Sequence, residues 1–114
     1  MLPFQNRLKK EKDFQRVFLY GKTINSNILT IKFLDNNTQE TKVGFVVSKK
    51  ISLKATDRNQ IKRVLREEIK REISQIKKGI DMIIIVKGKI LKLAPAEIKA
   101  SLVETLKRAV ILIE

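Results

Sequence analysis

Apolar and polar positions recur along this chain with two different periods, and the periods divide it into elements. Over residues 11–19, Phe14, Val17 and Phe18 fall at i, i+3 and i+4, which predicts a short helix closed by Gly21. Residues 28–34, ILTIKFL, read as a strand with Leu29, Ile31 and Phe33 on one face and Ile28, Thr30, Lys32 and Leu34 on the other. Residues 42–48, KVGFVVS, read as a second strand beyond the turn signal Asp35-Asn36-Asn37, so 28–48 is expected to be an antiparallel hairpin with a slightly long loop. A short extra strand also fits residues 22–26. A long helix is expected from Thr56, with Thr56 or Asp57 as its cap, to about Lys78, where Gly79 would end it. The apolar run IDMIIIV opens a buried strand over 80–87. Ala94-Pro95-Ala96-Glu97 starts a last helix with proline near its first position, and Ile98, Leu102, Leu106 and Ala109 carry it toward Ile113.

The order is α-β-β-α-β-α, or α-β-β-β-α-β-α with the short strand. It predicts a single α+β domain over residues 1–114, a two-layer sandwich of one sheet with helices packed against it. There is no internal repeat, low-complexity tract or linker. At 43% apolar residues the chain can bury a modest core, which excludes a disordered basic tail.

Charge narrows the choice of partner. The chain has 25 Lys/Arg against 12 Asp/Glu, a formal net charge of +13. Such an excess on a short chain destabilises the compact state by self-repulsion unless an anion neutralises it, and nucleic acid is the natural polyanion. The excess is uneven: residues 1–22 carry +4, 23–48 carry zero, 49–78 carry +7 and 79–114 carry +2. With no cysteine and no histidine, disulfides, thiolate chemistry, zinc fingers and histidine-based nuclease or triad chemistry are excluded. Hydrolysis would need carboxylates with Mg²⁺ or a catalytic partner. No stretch approaches the roughly 20 apolar residues of a membrane span, and the N-terminus lacks a signal-peptide run, so the expected location is cytoplasmic. Neither a membrane partner nor a small-molecule substrate is expected.

On a helical wheel of about 100° per residue, Ile61, Leu65, Ile69 and Ile76 form one arc, and Asn59, Lys62, Arg63, Arg66 and Lys70 form a neighbouring one. Glu67, Glu68 and Glu72 lie largely outside that second arc. Like charges at i, i+4, such as Lys62–Arg66 and Arg66–Lys70, repel by a few tenths of a kcal/mol per pair. A helix shaped for stability alone would intersperse acids there. The arc therefore suits phosphate, where Arg supplies bidentate hydrogen bonds and Lys a point charge.

The segment 48–71, SKKISLKATDRNQIKRVLREEIKR, resembles the signature of the bacterial ribonuclease P protein family. There a Ser-Lys-Lys strand end leads into a helix carrying Arg-Asn-Arg-x-Lys-Arg and then Arg-Glu. The matching residues are Ser48, Lys49 and Lys50, then Arg58, Asn59, Lys62, Arg63, Arg66 and Glu67. The segment NRLKKEKDFQRVFLYGK is similar through Arg7, Leu8, Phe14, Val17, Phe18 and Gly21, and so is the Gly-x-Asp strand at 79–85 with its following helix. Gln60 departs from the pattern, standing where the family has its second arginine.

The resemblance implies an α/β sandwich with a left-handed β-α-β crossover around the long helix, against the general right-handed rule. It implies a catalytic RNA partner that holds Mg²⁺ and hydrolyses precursor tRNA to give the mature 5′ end. The chain would bind that RNA through Arg58, Asn59, Gln60, Lys62, Arg63, Arg66 and Lys70. It would hold the precursor's 5′ leader in a cleft between sheet and first helix, with Phe14, Phe18, Lys32, Ser48, Lys49 and Lys50 as candidates, and Arg7, Lys9 and Lys10 as a basic arm. On spacing alone Phe14 and Phe18 read as core, Lys32 as a solvent-facing lysine and Ser48–Lys50 as a solubilising strand end. Asp13, Asp57 and Asp81 are too scattered to signal a two-metal site. A structural RNA-binding protein of ribosomal type, or a protein coating membranes or DNA, would share the charge but not the three-segment match.

Overall fold

The computed structural model describes residues 6–109. Seven elements follow in order: α1 (Glu11–Tyr20), β1 (Lys22–Asn25), β2 (Leu29–Asp35), β3 (Lys42–Val46), α2 (Ala55–Glu72), β4 (Ile80–Val86) and α3 (Pro95–Arg108). The α+β class and the extra strand agree with the sequence pattern. The fourth strand of the chain, β4, however, does not lie in the sheet where chain adjacency puts it.

The sheet runs β1-β2-β4-β3. β1 and β2 form the antiparallel hairpin, with Ile24 opposite Ile31. β2 pairs antiparallel with β4, and β3 pairs parallel with β4, Phe45 opposite Ile84. The expected 28–48 hairpin is thus wrong, because β4 lies between β2 and β3. The physical reason is burial. β4 is apolar at nearly every position and six of its seven residues are buried, the pattern of a strand covered on both faces. Placing it centrally buries both faces of that run, which a β2–β3 pair would leave at an edge.

One face of the sheet presents Leu29, Ile31, Met82 and Ile84 to Ile61, Leu65 and Ile69 of α2 and Leu102 and Leu106 of α3. Those helices and the sheet make the expected sandwich. α1 lies across the opposite face, where Leu8 and Val17 meet Ile83, with Phe14, Leu34, Val46 and Ile85 around them. The residues before α1 run beside β3, with Arg7 bridged to Val43 and the Leu8 N–H donating to the Val43 carbonyl at 3.1 Å.

Helix ends differ from expectation. α2 starts at Ala55 with Lys54 as its N-cap residue, and neither Thr56 nor Asp57 caps it by a side-chain bond. Asp57 instead accepts from Ser52 Oγ at 2.8 Å, and Ser52 Oγ accepts the Lys54 N–H at 3.1 Å. That ties the loop to the first turn, where a carboxylate also complements the helix dipole. α2 ends at Glu72 rather than near Lys78 and tightens into a 3-10 turn at Ile73–Gln75. Gly79 sits beyond it at φ +80°, where an added Cβ would lie 2.5 Å from the Thr38 carbonyl. α3 begins with Pro95 at its first position, and the Glu97 carboxylate accepts the Ala94 N–H at 3.0 Å. The expected extension toward Ile113 lies outside the described residues.

Candidate nucleic-acid interface

α2 turns Ile61, Val64, Leu65 and Ile69 inward and so fixes where its cations point. Asn59, Arg63 and Lys70 are exposed, and Lys62 and Arg66 are half-buried beside them. The arc read from the wheel therefore exists as a surface. Three arginines of α2, Arg58, Arg63 and Arg66, also make contacts within the protein. Arg58 donates to the Ser52 carbonyl at 2.8 Å, so it also secures the loop before the helix. Gln60 Oε1 accepts from Arg63 Nη2 at 2.6 Å, which orients that guanidinium. The Arg66 guanidinium stands 5.9 Å from the ring centre of Phe45 on β3, a cation–π distance.

The other face carries a cleft between α1 and the sheet. Phe14 is half-buried and presses on Gly44, where any Cβ would lie 2.5 Å from the ring. It is a packing residue whose edge reaches the cleft. Phe18, four residues on, is 44% exposed. The Lys32 ammonium lies 5.8 Å from the Phe18 ring centre and donates to Thr23 Oγ1 at 3.2 Å. Beside it Thr30 Oγ1 donates to Asn25 Oδ1 at 2.7 Å. An aromatic face, a cation and a row of hydroxyl and amide groups thus share one open surface. Ser48, Lys49 and Lys50 are exposed just past the end of β3. Arg7 is half-buried against β3, while Lys9 and Lys10 are exposed.

Among the described residues the carboxylates do not assemble a metal site. Asp81 is only 2% exposed, and its two oxygens accept from Arg16 Nη2 and Asn36 Nδ2, each at 2.9 Å. Asp57 serves Ser52. Among the described residues no three acidic side chains gather as a metal site would require. Glu68 is buried on the inner side of α2. Burial first, then its hydrogen bond with Glu72, raises its carboxyl above the ordinary 4.5, while Arg71 pulls the other way. Sequence reasoning missed Arg16, which pins α1 to β4, and Phe45, which meets Arg66. Neither contact leaves a local signature, because the partners lie 65 and 21 residues apart.

A sequence model of the family described as Ribonuclease P matches residues 2–110. The chain belongs to the ribonuclease P protein family. It is 42% identical over 87 residues to the ribonuclease P protein component of a Pseudanabaena species, covering 75% of each chain. It is 33% identical over 102 residues to that of Caldanaerobacter subterraneus, covering 90% of this chain and 87% of the other. Among solved structures, the Staphylococcus aureus RNase P protein superposes with a TM-score of 0.88 at 31% identity, covering 94% of this chain and 97% of that one. The Thermotoga maritima RNase P protein gives 0.82 at 31% identity, over 90% and 96%. Among the described residues no helix is long and apolar enough to cross a membrane.

Proposed function

We propose that this chain is the protein subunit of a ribonucleoprotein endoribonuclease that matures the 5′ end of tRNA. In this reading α2 docks on the catalytic RNA through Arg58, Asn59, Gln60, Lys62, Arg63, Arg66 and Lys70. The α1 cleft takes the single-stranded leader of precursor tRNA, with Phe18 as a stacking face and Lys32 and the Ser48–Lys50 strand end for phosphates. The observation that carries the reading is the cation arc of α2 beside its core-facing stripe, in a chain of this family. In this reading the chemistry belongs to the RNA, whose phosphates would hold the Mg²⁺. A cytoplasmic site of action follows from such a substrate.

Reconstitution with the cognate catalytic RNA tests this. Adding the protein should restore 5′ processing of precursor tRNA at a low Mg²⁺ concentration where the RNA alone is inactive. Tight RNA binding without any stimulation would instead identify a structural RNA-binding protein.

A further inference from the structure

The arc on α2 and the cleft under α1 lie on opposite faces of the sheet, and a cavity joins them around the outer edge of β3. Its volume is about 220 Å³. It opens where the segment before α1 leaves the β3 edge after the bridge at Val43. The inner wall is apolar and aromatic. Phe14 lies against Gly44, where a Cβ would leave the ring no room, and Phe45 contributes its own ring. Arg7, Lys9 and Arg66 line the cavity as well, and among the described residues no carboxylate does. Arg66 is held there over Phe45.

We propose that this cavity is a slot for one unpaired nucleotide of an RNA strand turning the corner between the two faces. The base would enter against Phe14 and Phe45, and its phosphate would meet Arg7, Lys9 and Arg66. The chemistry separates this ligand from the simpler ones. A bare phosphate would make no use of the aromatic wall, and an apolar side chain would make none of three cations around one opening. A planar base carrying a phosphate uses both. The slot rests on the reading that the chain binds single-stranded RNA. The strand could be the leader or a loop of the catalytic RNA.

The test begins with isotope-labelled full-length protein titrated with AMP, UMP and, separately, inorganic phosphate. The nucleotides should shift the Gly44 and Phe45 amides and saturate at about tenfold lower concentration than phosphate, the effect of one stacked base. Equal saturation by phosphate would overturn the slot, and this holds even if the following variant fails to fold. Phe45→Leu keeps apolar volume but removes the ring, and should abolish the nucleotide advantage. In reconstituted holoenzyme, a higher KM for precursor with a full leader, but not with a one-nucleotide leader, would assign the slot to the leader. Weakened assembly would assign it to the catalytic RNA. Neither change, with the wild-type protein still stimulating processing, would overturn the slot while sparing the proposed function; failure of that function would appear as wild-type protein giving no stimulation.

Discussion

The two faces of the sheet are built on different principles. Under α2 and α3 the fold is held by a broad apolar core, with Leu65, Ile69, Ile84, Leu102 and Leu106 fully buried. Under α1 the buried apolar set is small, and a half-buried ion pair between the partly exposed Arg16 and the buried Asp81 does part of the same job. The first face can therefore expose a helix crowded with like charges, because packing rather than surface electrostatics holds α2 in place. The second face leaves Phe18 uncovered, which costs burial but keeps an aromatic surface open. The proposed RNA-binding surfaces sit on both, and each is supported by a different source of stability.

That contrast can be broken by substitution. Leu65→Ala should destabilise the protein most, by about 3 kcal/mol from lost burial and the cavity left behind, read as a shifted denaturation midpoint. A loss below about 1 kcal/mol would mean that the α2 face is less tightly packed than described. Arg16→Ala should follow at about 2 kcal/mol, since Asp81 would stay buried with only Asn36 as partner. Because α1 then loses its tether to β4, hydrogen exchange should rise in α1 before it rises in α2. Uniform acceleration would argue against two separately supported faces.

Phe18→Ala should cost about 1 kcal/mol or less of stability, because the ring is already open to solvent. It should weaken binding of precursor tRNA more than of mature tRNA, by about tenfold for a lost stacking face. Equal losses for both would reduce Phe18 to packing. The smallest effect is expected at Glu68. Its raised carboxyl pKa means that the folded state holds the proton more tightly than the unfolded state does. The stability this gives is complete below the ordinary value of 4.5 and is lost as pH rises through the higher folded value. Glu68→Gln should flatten that part of the stability–pH curve. An unchanged curve would assign the slope to other carboxylates.

Much of this arrangement was legible in the order of residues. The 3.6-residue period placed all three helices, and the wheel separated the core stripe of α2 from its cation arc, because a helix rigidly links spacing to direction. Strand partnership was not legible in the same way. Alternation in 28–34 and 42–48 sets which side chains share a face but not which strand lies alongside, and nearness along the chain favoured a hairpin that β4 interrupts. The signal was present in the unbroken apolar run at 80–86, which marks a strand covered on both faces. The cap of α2 was misplaced because Thr56 and Asp57 both suit a cap by type, while Ser52 draws Asp57 back toward the loop. The roles of Arg58 and Phe45 depend on geometry outside the helix period, so no pattern in the sequence could carry them; the Gln60–Arg63 pair, at i, i+3, does lie within that period.

The central claim is that the exposed arc of α2 docks on catalytic RNA. Assembly of a protein with Lys62, Arg63 and Arg66 all changed to Glu, measured at physiological salt against wild type, tests it most directly. These side chains sit at or near the surface of α2, so thermal unfolding should still show a folded domain. Each lost phosphate contact lowers affinity and flattens its salt dependence, and reversing three charges should abolish assembly. Assembly at wild-type affinity by the folded variant would contradict the claim and move the RNA interface elsewhere on the molecule.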